Sequence, residues 1–426
     1  MQPLRLNFLK NDKFAKDSII LFIGLFVAHL LTFLFQVIMG RTLISDEYAI
    51  LITLLSILNI FVIPIGVIAT TINRYSSLLI QQNRKGDIKR LLNYWLKRML
   101  ILGFFLSIIL CLFSESIANF FHLDRQTPIY IFAIIVIGLF LRPIIDGILM
   151  GMQTFYYWSL INILGWLIRF IVGAFLVIYI SSFAGWGLLS HGIGFYGAIT
   201  LGMGLIFKKL YNHNQTNTPL PNMNNYVLVT FFILLGYSII LSADVILVKH
   251  LFPSSAGDFS YASVLAKMIF FISQPFTIAM FPKVVSEKNE TSFHFKLYLK
   301  TLLIILFVTI FTATIFIFLS SFFFDIIYGI SKPSFELIGW AHTLAWCMIP
   351  LSLLNTSIYY NLALNNFRIN FVVILFGILY LLLAFISITE VDGLLSILFL
   401  ISIVSFFFIF INNFIGFLRI NKGSQS

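Results

Sequence analysis

The chain has 426 residues, 60% of them hydrophobic and only 10% charged, with 49 phenylalanines and a net charge of +11. Soluble chains carry about 45–50% apolar and about 25% charged residues. Too few charges exist here to clothe a water-facing surface, so a soluble enzyme and a nucleic-acid binder are both excluded. The expected fold class is an all-α integral membrane protein, with the positive charge read as loops facing anionic lipid.

A spanning helix needs about 20 mostly apolar residues. Arg5, Lys10, Lys13 and Lys16 precede the first apolar run, Ser18 to Gly40. That run is longer than the core of a signal peptide and no small-residue cleavage pattern follows it, so it is read as the first span. Five more runs are predicted at 48–72, 97–118, 128–150, 155–180 and 185–207. The stretch Asn83–Arg98 places six basic residues around Leu91, Leu92, Tyr94 and Trp95. It is read either as an amphipathic segment on the inner leaflet or as an ordinary basic loop. A polar linker with Pro219 and Pro221 follows at 208–225. Six further runs lie at 226–249, 259–282, 298–323, 334–360, 367–388 and 393–417. All are continuously apolar rather than alternating, which excludes a transmembrane β-barrel.

Nineteen Lys and Arg residues then fall on the side of the two termini, against four (Arg41, Arg125, Lys249, Lys332) on the other. By the positive-inside rule both termini are expected in the cytoplasm. The expected division is a six-helix lobe at 1–207, the linker at 208–225 and a second six-helix lobe at 226–426.

The halves repeat. Glu47-Tyr48 opens one helix and Pro64 lies sixteen residues after the Tyr; Asp258-Phe259 opens another and Pro275 lies sixteen after the Phe. Pro143 and Pro350 also correspond. Internal duplication with a site near the midplane is a transporter signature, and Pro64 and Pro275 are candidate hinges.

Six ionisable residues fall within or at the ends of predicted spans: Arg74, Arg142, Asp146, Arg169, Asp244 and Lys267. Each costs about 2.5–3.5 kcal/mol on insertion scales and so is expected to face a cavity or a partner. Arg142 and Asp146 are one helical turn apart and can pair; Asp244 and Lys267 can pair between helices. Arg169 has no evident carboxylate and is the foremost candidate to face the space between the lobes. The four cations suit an anionic ligand such as a phosphate, which Arg grips with two nitrogens. His29, His191 and His342 either join helices by hydrogen bonds or carry protons, and amides such as Gln36, Gln153, Asn162, Gln274 and Asn355 either join helices or line a path for sugar hydroxyls. Cys111 and Cys347 lie in apolar runs as small hydrophobes. No disulfide framework, metal site or cofactor is indicated, and no Walker-type loop is present.

Three stretches carry a family resemblance: Leu241–Lys283 (LSADVILVKHLFPSSAGDFSYASVLAKMIFFISQPFTIAMFPK), Gly40–Arg74 (opening GRTLISDEYAIL), and Asp146–Arg169 with its Gly-x-x-x-Gly-x-Gln turn. In this order the chain resembles the multidrug/oligosaccharidyl-lipid/polysaccharide exporter superfamily, specifically its polysaccharide-transporter branch of lipid-linked oligosaccharide flippases. The resemblance implies two six-helix lobes around a central cavity, opening alternately to either side of a bacterial inner membrane. It also implies an undecaprenyl-pyrophosphate-linked glycan as cargo, feeding O-antigen or capsule, with membrane lipids and a polysaccharide assembly machinery as partners and no nucleic acid. Under it Arg169, Arg142, Lys267 and Arg74 are candidate substrate contacts, and Asp146 and Asp244 candidate ion-coupling groups. Lipid II flippases of the superfamily have two additional helices that this chain lacks. A drug/cation antiporter of the same superfamily is the alternative transporter, disfavoured by the cationic surplus. A membrane-embedded polymerase or glycosyltransferase is the enzyme alternative, disfavoured by uniformly short outer loops.

Overall fold

A computed structural model describes residues 13–211, 224–286, 291–387 and 390–423. Arg5, Lys10, Lys288 and residues 212–223 of the linker lie outside them. Fifteen α-helices follow one another among the described residues. They are α1 (Lys13–Thr42), α2 (Ser45–Gln81), α3 (Asp87–Leu112), α4 (Ser114–Phe120), α5 (Thr127–Gly151), α6 (Phe155–Tyr179) and α7 (Ala184–Leu210). Then come α8 (Asn224–Leu251), α9 (Ala256–Ser286), α10 (Thr291–Phe318), α11 (Ser320–Tyr328) and α12 (Phe335–Ala363). The last three are α13 (Phe367–Asn370), α14 (Val372–Ser387) and α15 (Val391–Gly423). Among the described residues twelve segments are long and apolar enough to cross a membrane, with α13 and α14 making one of them. Helices of this kind satisfy every backbone polar group internally, as a hydrocarbon solvent demands.

One basic segment folds differently from both sequence readings. Residues from Asp87 onward are the opening turns of α3, continuous with the third span. Ile88, Leu91, Leu92, Trp95 and Met99 recur at helical spacing and are all buried, so the apolar face packs on protein rather than on lipid. Asp87, fully buried at the start of the helix, holds Arg84 at 2.8 Å and Arg90 at 3.8 Å.

The chain divides into two compact units, 1–44 with 65–227, and 45–64 with 228–426. The division falls inside α2, immediately after Pro64. Within the second unit, the first half of α2 is held at both ends. Tyr48 stacks on Tyr261 at 4.5 Å, and its hydroxyl lies 3.2 Å from that of Tyr328. Burial pushes the Tyr328 phenol above its usual range. At the other end, Pro64 has no N–H to give the carbonyl of Ile60; the Ser238 hydroxyl donates to it instead at 2.8 Å.

That arrangement gives a specific expectation. Ser238→Ala should cost about 1–3 kcal/mol, the penalty for an orphaned buried acceptor. In a Pro64→Ala background the cost should nearly vanish, because the new N–H bonds Ile60 within the helix. Apparent melting temperatures of the two singles and the double in detergent measure the coupling; additive effects would refute it.

The packing inside each unit repeats. In the first, α1 lies on α6, α3 on α5, α5 on α7 and α6 on α7; in the second, α10 lies on α12, α12 on α15 and α14 on α15. The match to α1 on α6 is α8 on α14: a Cβ on Gly236 would stand 2.6 Å from the Ile374 Cα. Both units follow their third span with a short helix, α4 or α11, and a left-handed residue comes within two residues of its end, His122 or Gly329. Both end their fourth span on another, Gln153 or Asn365, where Thr154 and Asn366 donate back to Leu149 and Asn361. The paired prolines keep register too, since Pro64 and Pro275 are each the twentieth residue of their helices, α2 and α9. The Gly-x-x-x-Gly of α5 has its own cause. A Cβ on Gly147 would sit 2.7 Å from the Ala69 carbonyl, and one on Gly151 would sit 2.7 Å from that of Asn73. Small residues there let two spanning backbones touch.

Candidate functional site

In the first unit, α5 brings Arg142 and Asp146 together, Nε to carboxylate 2.9 Å. Across on α6, Asn162 accepts from the same guanidinium at 2.8 Å, and the Trp158 indole donates to the other carboxylate oxygen at 2.9 Å. Four side chains thus close one another's hydrogen bonds, and the pair sits part-buried with its charge cancelled. Such a network is far cheaper to hold in a low-dielectric site than either ion alone.

Arg169, on α6, is different. It is only 4% exposed, and among the described residues none pairs with it or accepts a hydrogen bond from it. Its Nε is buried with no acceptor. The guanidinium carbon lies 3.9 Å over the Phe35 ring of α1 and 4.9 Å from the Trp166 ring, one turn back on its own helix. A desolvated cation–π contact is worth about 2 kcal/mol, whereas a buried ion costs several. Rings soften the cost without supplying a counter-charge. The side chain therefore sits inside the packing of the first unit, under two aromatic rings. Arg74, by contrast, is exposed two turns before the end of α2.

In the second unit, Asp244 of α8 is fully buried and binds Lys267 of α9 at 2.7 Å. Ser263 donates to its other oxygen at 3.0 Å. An adjoining seam of polar side chains joins helices: Gln274 with Asn355 at 3.1 Å, Thr277 with Thr356 at 2.7 Å, and Tyr298 with Ser357 at 2.8 Å. His342 bonds Ser320 at 3.0 Å. These amides and this histidine take the helix-joining role of the two that sequence left open.

Of the six span ionisables, then, four form two ion pairs, one is exposed, and Arg169 is buried without an anion. Two features escaped sequence reasoning. The Trp166 cover is legible afterwards as a residue three before Arg169, on the same face. The Phe35 cover and the neighbouring His191 come from other helices, and no local pattern points to them.

No known family model matches the chain, and no curated protein does. Solved structures do. An inward-facing multidrug resistance MATE family transporter of the MOP superfamily is 11% identical, aligning over 93% of this chain and 96% of its own, with a TM-score of 0.70. The lipid II flippase MurJ in an inward closed conformation is 17% identical over 94% and 90%, with a TM-score of 0.65. A MOP superfamily transporter from Pyrococcus furiosus, described as having a binding pocket of reversed polarity that suggests a different function, is 13% identical over 95% of both chains, with a TM-score of 0.66. This chain has the fold of the MOP-superfamily transporters. At these identities the likeness is one of fold, shared by multidrug resistance transporters and a lipid II flippase alike.

Proposed function

We propose that the chain is a flippase carrying an undecaprenyl-pyrophosphate-linked oligosaccharide from the inner to the outer leaflet of the bacterial cytoplasmic membrane, by alternating access, for O-antigen, capsule or a related polymer. One observation carries this reading: Arg169 is a buried guanidinium whose Nε has no hydrogen-bond partner and which meets no anion among the described residues, and a guanidinium fork suits phosphate oxygens. A cationic drug would meet the wrong charge there. The fold supports the reading to the extent that a lipid flippase shares it. Arg74, Arg142 and Lys267 are further proposed contacts, the latter two once released from their carboxylates, and Asp146 and Asp244 are proposed to bind the coupling ion. Deletion in the native host tests it. Finished lipid-linked oligosaccharide should accumulate on the cytoplasmic leaflet, and absence of any lipid-linked intermediate would instead mean an enzyme acting earlier.

Both termini are proposed to be cytoplasmic, on the charge asymmetry of the loops. Reporter fusions after Lys209 and after Asp258 should therefore read opposite sides of the membrane, and matching signals would overturn the twelve-span topology.

Pro64 and Pro275 are proposed hinges. Each removes one backbone hydrogen bond from a spanning helix, and Pro64 stands where α2 passes from one unit to the other. Replacing both by Ala should leave the protein folded or more stable while slowing transport. Wild-type transport in that double variant would reduce the prolines to fixed kinks.

A further inference from the structure

The surroundings of Arg169 include a second orphan. His191 on α7 is 7% exposed, and its Nδ1 is buried with no hydrogen-bond partner among the described residues. Its ring lies edge-on to Trp166 with centroids 6.0 Å apart, against the same indole that the guanidinium covers from 4.9 Å. One turn on, Gly194 explains how α7 comes so near. A Cβ there would stand 3.1 Å from the Arg169 Cβ, so the bare backbone lets the two helices close up. Buried polar atoms in folded proteins are nearly always satisfied, and two nitrogens on adjacent helices, both nine-tenths buried and both unsatisfied, share one lack. The Arg169 nitrogen is an N–H that wants an acceptor and carries a full positive charge, and the His191 Nδ1 becomes a second such donor in the tautomer that protonates it.

We infer that Arg169 and His191 together form an anion site inside the first unit, between α6 and α7, that takes a phosphoryl-type oxyanion. Arg169 supplies the charge and His191 a second N–H donor from Nδ1, the tautomer being set by the bound oxygen. Trp166 and Phe35 wall the site and keep water out, which strengthens both bonds. His191 is thus a binding residue rather than a helix-joining one. The identity of the anion's carrier rests on the flippase reading; the existence of the site does not. The oxyanion has two sources, the pyrophosphate of a lipid-linked substrate or free phosphate from the cytoplasm.

The test uses the purified full chain in detergent, with inorganic pyrophosphate and inorganic phosphate as separate probes and gluconate as the reference anion. A ligand that binds only the folded state raises the melting temperature with concentration. Pyrophosphate should do so for the wild type. His191→Phe should weaken binding by on the order of 10-fold or more, the usual loss for one hydrogen bond to a charged group, while His191→Gln, which keeps an N–H, should recover part of it. Arg169→Gln should abolish the response. A second readout is independent of stability: iodide bound beside the indole should quench Trp166 emission, a component missing in Trp166→Phe. Equal pyrophosphate response in the wild type and in folded Arg169→Gln or His191→Phe, or iodide quenching unchanged in Trp166→Phe, overturns the site. Phosphate binding as tightly as pyrophosphate, with no loss of surface glycan in His191→Phe cells, would leave the site as one for free phosphate and count against the flippase reading alone.

Discussion

Arg169→Ala is expected to abolish surface-glycan assembly while leaving protein abundance near normal. The two halves of that expectation have separate causes. A hydrogen bond to a charged group contributes about 1.5–3 kcal/mol, so losing a two-pronged guanidinium grip should lower affinity for a phosphate by on the order of 100-fold or more. Stability responds differently, because two effects oppose each other. The guanidinium packs against Phe35 and Trp166, and truncating the side chain leaves a small cavity. Against that, the substitution removes a buried charge that has no counter-ion among the described residues. Arg169→Lys keeps the charge but not the planar fork, and should rescue glycan assembly only in part. Glycan profiles from a chromosomal substitution, read beside an immunoblot of membrane fractions, measure both halves at once. Wild-type glycan from Arg169→Ala cells would remove this residue from the site.

Much of the scaffold was legible in the sequence because lipid imposes a simple rule: about 20 apolar residues per crossing. The twelve runs and the proline register of the repeat follow from that rule and from spacing alone. Where local pattern had to decide between neighbours, it fell short. The basic stretch after Asn83 reads as a surface segment, because its Lys and Arg residues dominate the hydropathy. Yet Ile88, Leu91, Leu92 and Trp95 are buried on one face of the third spanning helix. The candidate site divides in the same way. Arg142 and Asp146 are four residues apart on one helix, so their pairing could be anticipated. Ser238 serving the carbonyl of Ile60, or His191 standing by Arg169, depends on which helix lies beside which. That information is spread over glycines such as Gly194 and Gly236, whose role shows only when two backbones touch.

The second large effect concerns Lys267. Lys267→Met should destabilise the protein by about 3–5 kcal/mol, the usual cost of removing one partner from a buried ion pair. Asp244 is fully buried, and after the substitution only the Ser263 hydroxyl, among the described residues, remains on its carboxylate. That one bond cannot make up for a lost ammonium at 2.7 Å. Adding Asp244→Asn removes the stranded charge. The double variant should recover most of the stability, because a neutral amide beside Met carries no uncompensated ion. Apparent melting temperatures in detergent for the wild type, both singles and the double give the coupling between the two residues. Transport then separates structure from mechanism. A double variant that is stable but fails to move glycan would give the pair a role in transport, as substrate contact or ion-coupling group, beyond structure. One that is stable and transports normally would make the pair a strut between α8 and α9 and nothing more. A Lys267→Met single as stable as the wild type would mean that water or another cation already reaches Asp244, and the buried-pair account would fail.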